Sequence, residues 1–370
     1  MEKPTCLILA TLLLAAITVS PLGSANSTEQ PTVDNSPFSG ISLSGQWFLA
    51  YCTGEKSGEN FSEFKLKRGY VTVKKKFTDQ ISARVTQDIA VDKEGDGEGD
   101  IEIRLKYLYL KYQFEDMWVF VKPSLEFGLV HRPWLDYEQR INTYRVQGTM
   151  YLERYKVLRS ADYGITFASL LGGEMGSDYK KKVNKNHPGR YGSLSLGLYN
   201  GGGYEAIEKN LNKLFEARLS IRPLPDVFPG AQLSWVGGFG KGNTPESPEL
   251  TYNAMFASLE SSFYLLTAVF YDGVGEVNGL EVTDSGGVYD RSGYSLFGEF
   301  RYPTEQLAVF ARYDRLDLDD RLSIQEITRS IVGAAWRFHG RSRLVVDYDY
   351  LRHEYKDDEY TFEVAVEINY

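Results

Sequence analysis

The chain closes on Tyr360-Thr361-Phe362-Glu363-Val364-Ala365-Val366-Glu367-Ile368-Asn369-Tyr370, where every second side chain from Tyr360 is apolar or aromatic and most of those between are polar. A period of two describes an extended strand with one apolar face and one wet face. Its length suits a tilted strand crossing a bilayer, for which about 9–11 residues are needed. A soluble sandwich could supply one such strand. A membrane barrel requires the pattern to recur along the chain, behind an export signal.

The start of the chain reads as that signal. Lys3 is a positive start, Cys6 to Val19 is an apolar run too short for a spanning helix, and Leu22-Gly23-Ser24-Ala25 offers small residues where a signal peptidase cuts. The expected division is 1–25 signal peptide, 26–39 short periplasmic segment and 40–370 transmembrane β-barrel. Cys6 would leave with the signal, and Cys52 would remain as a lone cysteine unable to form an internal disulfide.

Composition agrees. Aromatic residues make up 14%, with 26 Tyr and 35 Gly in 370 residues, yet mean hydropathy is only −0.33. Alternating lipid-facing and water-facing residues produce this combination. Beyond the leader no stretch approaches the roughly 20 apolar residues of a helical span. A net charge of −9 argues against nucleic acid as a partner.

Turn residues divide the chain into alternating segments near 40–51, 64–77, 81–91, 101–112, 117–130, 163–171, 191–199, 212–222, 230–240, 250–259, 261–272, 292–302, 305–315, 323–338, 342–354 and 359–370. About sixteen strands follow, to within two. Short connections (78–80, 115–116, 223–229, 303–304, 339–342) fall after even-numbered strands. Longer polar ones fall after odd-numbered strands, as in barrels with short turns on one rim and loops on the other. Only 172–190 is too long for its rim. Tyr107, Tyr109, Trp336, Phe338, Tyr348 and Tyr350 read as an aromatic girdle on the apolar face.

On the wet face, Glu102, Arg104, Lys106, Arg343, Asp347, Asp349, Glu363 and Glu367 alternate charges that a dry core would not tolerate. A water-filled pore accommodates them, and a barrel of this size is wide enough for one. Lys65, Lys67, Arg84, Arg104, Lys106 and Lys122 are the expected cationic lining. A bulge near Arg68-Gly69 would exchange which lysines face inward. The segment 131–162 carries Arg132, Arg140, Arg145, Arg154, Lys156 and Arg159 against Asp136, Glu138 and Glu153. Folded inward, it would form the constriction. As a solvated loop or a rim helix, it would not.

The stretch from Phe64-Lys65-Leu66-Lys67-Arg68-Gly69-Tyr70 to Lys74-Lys75-Lys76-Phe77-Thr78-Asp79-Gln80-Ile81 resembles the basic hairpin of the phosphate-selective porin O and P family. Phe127-Gly128-Leu129-Val130-His131-Arg132-Pro133-Trp134 is similar to that family's entry into its inward loop, and Leu152-Glu153-Arg154 with Asp162-Tyr163-Gly164-Ile165 to its exit. The likeness covers roughly 40–170. It implies an all-β, sixteen-stranded trimeric outer-membrane porin narrowed by its third outer loop. Ser160-Ala161 stand where the family has an Arg before the exit Asp, and the chain is acidic. Porin architecture is therefore implied more strongly than phosphate selectivity.

Other features carry less. Asp92 to Asp100 is acidic at alternate places but has Ile103 where a calcium loop needs Glu. His131, His187, His339 and His353 sit in no nucleophile motif, so no enzyme, metal or cofactor is expected. Gly201-Gly202-Gly203 lacks the Lys-Ser/Thr of a phosphate loop. Lys180, Lys181, Lys182 and Lys185 read as a solvated charge run, or as a contact to peptidoglycan or a periplasmic partner. The expected function is passive diffusion of small hydrophilic solutes or anions through a homotrimer held in lipid and lipopolysaccharide. A non-conducting adhesin, envelope anchor or assembly barrel is the alternative.

Overall fold

In the computed structural model, which describes residues 38–93, 97–283, 286–302 and 306–370, each alternating segment is a strand paired to its sequence neighbour. The first five are β1 (Ile41–Lys56), β2 (Glu59–Lys76), β3 (Ile81–Val91), β4 (Ile101–Gln113) and β5 (Phe120–His131). Two short helices, α1 (Leu135–Ile141) and α2 (Tyr151–Arg154), precede β6 (Ala161–Leu171), and α3 (Ser177–Lys182) precedes β7 (Gly192–Tyr199). Then come β8 (Leu214–Ile221), β9 (Ala231–Lys241), β10 (Glu249–Glu260), β11 (Tyr264–Val274) and β12 (Asp290–Tyr302). The last are β13 (Leu307–Asp319), β14 (Ile324–His339), β15 (Ser342–His353) and β16 (Glu359–Asn369). The expected signal peptide 1–25 with Cys6, the expected periplasmic segment up to residue 37, the middle of the Asp92–Asp100 loop and the turn at Pro303-Thr304 lie outside the described residues.

β1 pairs with β16 from Gln46↔Asn369 to Glu55↔Tyr360, closing a sixteen-stranded antiparallel barrel. Closure leaves no unpaired edge, which a strand spanning hydrocarbon could not afford. At the seam the Gly45 and Tyr370 backbones exchange hydrogen bonds of 2.9 and 3.1 Å. A Cβ on Gly45 would meet the Tyr370 ring at 2.1 Å. The β1–β2 hairpin turns on Ser57 and Gly58, at φ +51° and +77°, in the left-handed region that a tight hairpin needs. These two strands therefore run longer than the sequence pattern suggests.

Burial is inverted relative to a soluble domain. On β16 the buried residues are Glu363, Ala365 and Glu367, while Phe362 and Ile368 are 43% and 38% exposed. The same holds on β15, where Arg343, Asp347 and Asp349 are buried and Tyr348 is exposed. A closed sheet with charges on its inner face and aromatic and aliphatic side chains on its outer face is a transmembrane barrel.

Bulges reset this alternation. Phe48 pairs with Arg68 and Leu49 with Leu66, leaving Lys67 as an extra residue. Thr86 pairs with Tyr107 and Gln87 with Leu105, leaving Lys106 extra. Two consecutive side chains then share the inner face. Consequently Lys67 and Arg68 both point inward, bonding Glu363 and Asp88 respectively. The second bulge corrects the expected girdle. Tyr107 and Tyr109 follow Lys106 onto the inner face and are 6% and 8% exposed, whereas Trp336, Phe338 and Tyr348 are exposed as expected.

Candidate functional site

The segment between β5 and β6 brings its own apolar core. Trp134, Leu135, Tyr137, Met150, Leu152 and Leu158 are all buried, against strand faces that are otherwise polar. Trp134 and Tyr137 stand with ring centroids 5.2 and 6.2 Å from Phe256 of β10. Tyr144 packs tilted against Phe297 of β12 and Phe310 of β13, with ring centroids 5.6 and 4.4 Å away, and its hydroxyl donates to Glu299 Oε1 at 2.9 Å. Tyr151 Oη donates to the Arg315 carbonyl of β13 at 2.7 Å. Arg343 Nη2 of β15 reaches the Thr143 carbonyl at 2.9 Å, and Lys67 Nζ of β2 reaches the Gln147 carbonyl at 2.9 Å. The contacts therefore join the segment to β2, β10, β12, β13 and β15, always through the buried face.

The cationic residues of the segment fall into two groups. Arg132 is fully buried, 2.6 Å from Glu216 Oε2 of β8, and donates to Tyr252 Oη at 3.0 Å. Arg154 meets Asp314 of β13 at 3.0 Å. Lys156 pairs with Glu281 at 3.2 Å. Arg159 donates to Asn278 Oδ1 at 2.8 Å and lies 4.0 Å from Glu205. Arg140 pairs with Asp136 one helical turn away at 3.3 Å. Arg145 differs: it donates to Gln139 Oε1 at 2.9 Å and to Tyr70 Oη at 3.1 Å, both neutral acceptors.

The strand cations divide likewise. Lys65 is held by Glu63, Lys67 by Glu363 at 2.6 Å, Arg104 by Glu102 and Glu205, and Lys122 by Glu174 beside the β5 register break. Arg84 contacts His131 Nε2 at 2.9 Å and lies over the Tyr107 ring at 4.5 Å. Lys106, 3% exposed, donates to Tyr70 Oη at 3.3 Å.

Of the expected cations, Arg84, Lys106, Arg140 and Arg145 meet on one cavity of about 440 Å³, and the others do not line it. β1 contributes Ser44 and Gln46, β2 to β4 contribute Tyr70, Lys74, Arg84 and Lys106, and the segment contributes Gln139, Arg140 and Arg145, with Arg341 on the short-turn rim. Against its cations stand only the carboxylates of Asp136 and Glu367. Asp136 is engaged by Arg140, and Glu367 by Arg343 at 2.8 Å. Among the described residues no carboxylate lies within 4.0 Å of Lys74, Arg84, Lys106, Arg145 or Arg341. Lys74 and Arg341 were not singled out in the sequence. Continuing the inner-face phase past the Lys67 bulge, through Arg68 and Tyr70, would have found Lys74. Arg341 sits in a turn and carries no such phase.

The connection 172–190, too long for its rim by the alternation of turns and loops, is packed over part of its length. Tyr179 and Asn184 are buried, while Lys181, Lys182 and Lys185 are exposed. The exit residue Asp162 accepts backbone hydrogen bonds from Gly201 and Gly203 at 2.8 and 3.2 Å, so the triple glycine serves a structural end.

No protein-family model and no curated protein matches the chain. Solved structures do. A loop L8 deletion mutant of OmpT, an outer membrane protein of Vibrio cholerae, superposes with a TM-score of 0.59 at 13% identity, over 89% of this chain and 99% of that one. OmpF of Salmonella typhi in complex with daunomycin gives 0.59 at 11%, over 89% and 97%. An anion-selective porin from Comamonas acidovorans gives 0.58 at 10%, over 89% and 99%. Identities this low establish the fold, a sixteen-stranded barrel of the outer-membrane porin type, and do not single out the phosphate-selective family.

Proposed function

We propose that the chain is an outer-membrane diffusion channel for small hydrophilic solutes, narrowed by an inward-folded 131–162 segment and favouring anions. The observation that carries this reading is the cavity where Lys74, Arg84, Lys106, Arg145 and Arg341 meet without carboxylate partners. Screening at physiological salt acts over about 8 Å, so charges at a narrow passage act on every ion while those of wide vestibules do not. The acidic total of the chain then matters less than which cations remain uncompensated where the path is tight. Arg145 is the segment's contribution to that field, and Arg132 and Arg154 anchor the segment to the barrel wall. One of the structural neighbours is itself described as anion-selective.

The short turns and the C-terminus face the periplasm in this reading, and the long loops face outward. Passage is passive, with no chemical step and no cofactor, and the working unit is a homotrimer in lipid and lipopolysaccharide. The test is reconstitution into planar bilayers across a tenfold salt gradient. Discrete channel steps with a reversal potential of the anion-selective sign are expected. Absence of current would indicate an anchor or adhesin, and cation selectivity would show that the basic cavity is not on the path.

A further inference from the structure

We infer that the connection 172–190 is a prop that enters from the short-turn rim and holds the constriction segment in place, with Asn184 and His187 as its positioning residues; this rests on the channel reading above. The connection is clamped to the barrel at one end. Arg222, just after β8, donates to Tyr179 Oη of α3 at 2.9 Å, and its guanidinium lies over that ring at 4.6 Å. From that anchor the chain reaches α1. Asn184 Nδ2 donates both to the Arg140 carbonyl at 3.0 Å and to Glu260 Oε2 of β10 at 2.7 Å. One buried amide thus satisfies a carbonyl in the last turn of α1, which has no helical partner, and ties it to the barrel wall. His187 Nε2 stands 3.5 Å from Asp136 Oδ2, and its ring lies 5.2 Å from that of Tyr137. Its backbone is left-handed at φ +46°, a conformation retained where the surroundings demand it.

α1 is the element that matters to an ion on the path. It places Asp136, Gln139 and Arg140 on the cavity, and Gln139 holds Arg145. A shift of α1 would therefore move the uncompensated guanidinium of Arg145 as well as the paired one of Arg140. The His187–Asp136 contact has a second effect: it occupies Oδ2 of a cavity carboxylate whose Oδ1 already faces Arg140 and His131, so losing it would leave more of that negative charge facing the cavity as well as loosen the helix. The length of 172–190 has a reason on this account, since a shorter turn could not reach α1.

The experiment compares the full-length channel in planar bilayers with Asn184→Ala, His187→Ala, the double variant, His187→Gln, which restores an N–H donor, and Lys182→Ala as an exposed control. Heat-modifiable mobility on gels confirms that each barrel is closed. In the double variant, conductance is expected to rise about twofold, since the constriction limits current, and the reversal potential to move toward zero. His187→Gln should return most of both, and Lys182→Ala should match wild type. If Asn184→Ala does not assemble, His187→Ala alone decides, because it removes a partly exposed side chain and leaves the Asn184 tie between α1 and Glu260 in place. A conducting wild type with variants of unchanged conductance and selectivity overturns the prop. A wild type without current overturns the channel reading instead.

Discussion

The segment 131–162 meets two unlike walls of the same barrel. Toward β8–β13 it is sealed: Arg132 lies on Glu216, Arg154 on Asp314, and Trp134, Tyr137 and Tyr144 fill the gaps between with rings. Toward β1–β4 it is tied more loosely, through Lys67 on the Gln147 carbonyl and Arg145 on the Tyr70 hydroxyl, and leaves the cavity with its unpaired cations. Both walls carry Arg and Tyr. On the first wall the cations facing the segment are ion-paired or, like Arg218, hydrogen-bonded to the Pro133 carbonyl and strand hydroxyls, whereas Lys74, Arg84, Lys106, Arg145 and Arg341 at the cavity have no carboxylate within 4.0 Å among the described residues.

The largest effect should come from unsealing the first wall. Arg132→Leu leaves the Glu216 carboxylate buried without its cation, an arrangement that costs about 3–5 kcal/mol. The urea midpoint should fall sharply, and Glu216→Leu in the same chain should recover most of the loss. A single variant as stable as wild type would show that this wall is not sealed by the pair.

Next is the second wall. Arg145→Ala with Lys106→Ala should lower the anion-to-cation permeability ratio several-fold, because the charges removed lie within about a Debye length of the path. The urea midpoint should barely move. A large stability loss with unchanged reversal potential would make this wall structural like the first.

Glu363→Gln sharpens the comparison from the other direction. Glu363 neutralises Lys67 at 2.6 Å, so removing its charge frees a further cation near the same passage. Anion preference should increase modestly, as read from the same salt gradient. A decrease would mean that Lys67 faces away from the path.

The smallest effect belongs to the outer mouth. Lys156→Ala and Arg159→Ala remove cations already near Glu281 and Glu205, at partly exposed sites. Such pairs contribute about 0–1 kcal/mol, and bulk salt screens what remains. Conductance and selectivity should stay within the spread of wild type, and a clear change in either would move the constriction outward.

What the sequence determined is the barrel. A period of two, repeated with turn residues between, sets which side chains share a face, and one face of charges opposite one of aliphatic and aromatic residues leaves a membrane barrel with a wet interior as the stable solution. The strands, the alternation of turns and loops, and the inward placement of Arg343, Asp347, Glu363 and Glu367 were all legible on those terms. Bulges were legible only as an open choice at Arg68-Gly69, because one extra residue flips every side chain beyond it without altering local composition. At Lys106 the flip went unread, which is why Tyr107 and Tyr109 line the inside. Charge compensation was not legible at all. Glu216 lies 84 residues from Arg132, and Glu363 lies 296 residues from Lys67. The reach of Asn184 and His187 to α1 likewise crosses from one rim toward the other. Periodicity is a property of neighbours along the chain, whereas the pairing of a charge depends on what closure of the barrel brings opposite it, and only the tertiary structure decides that.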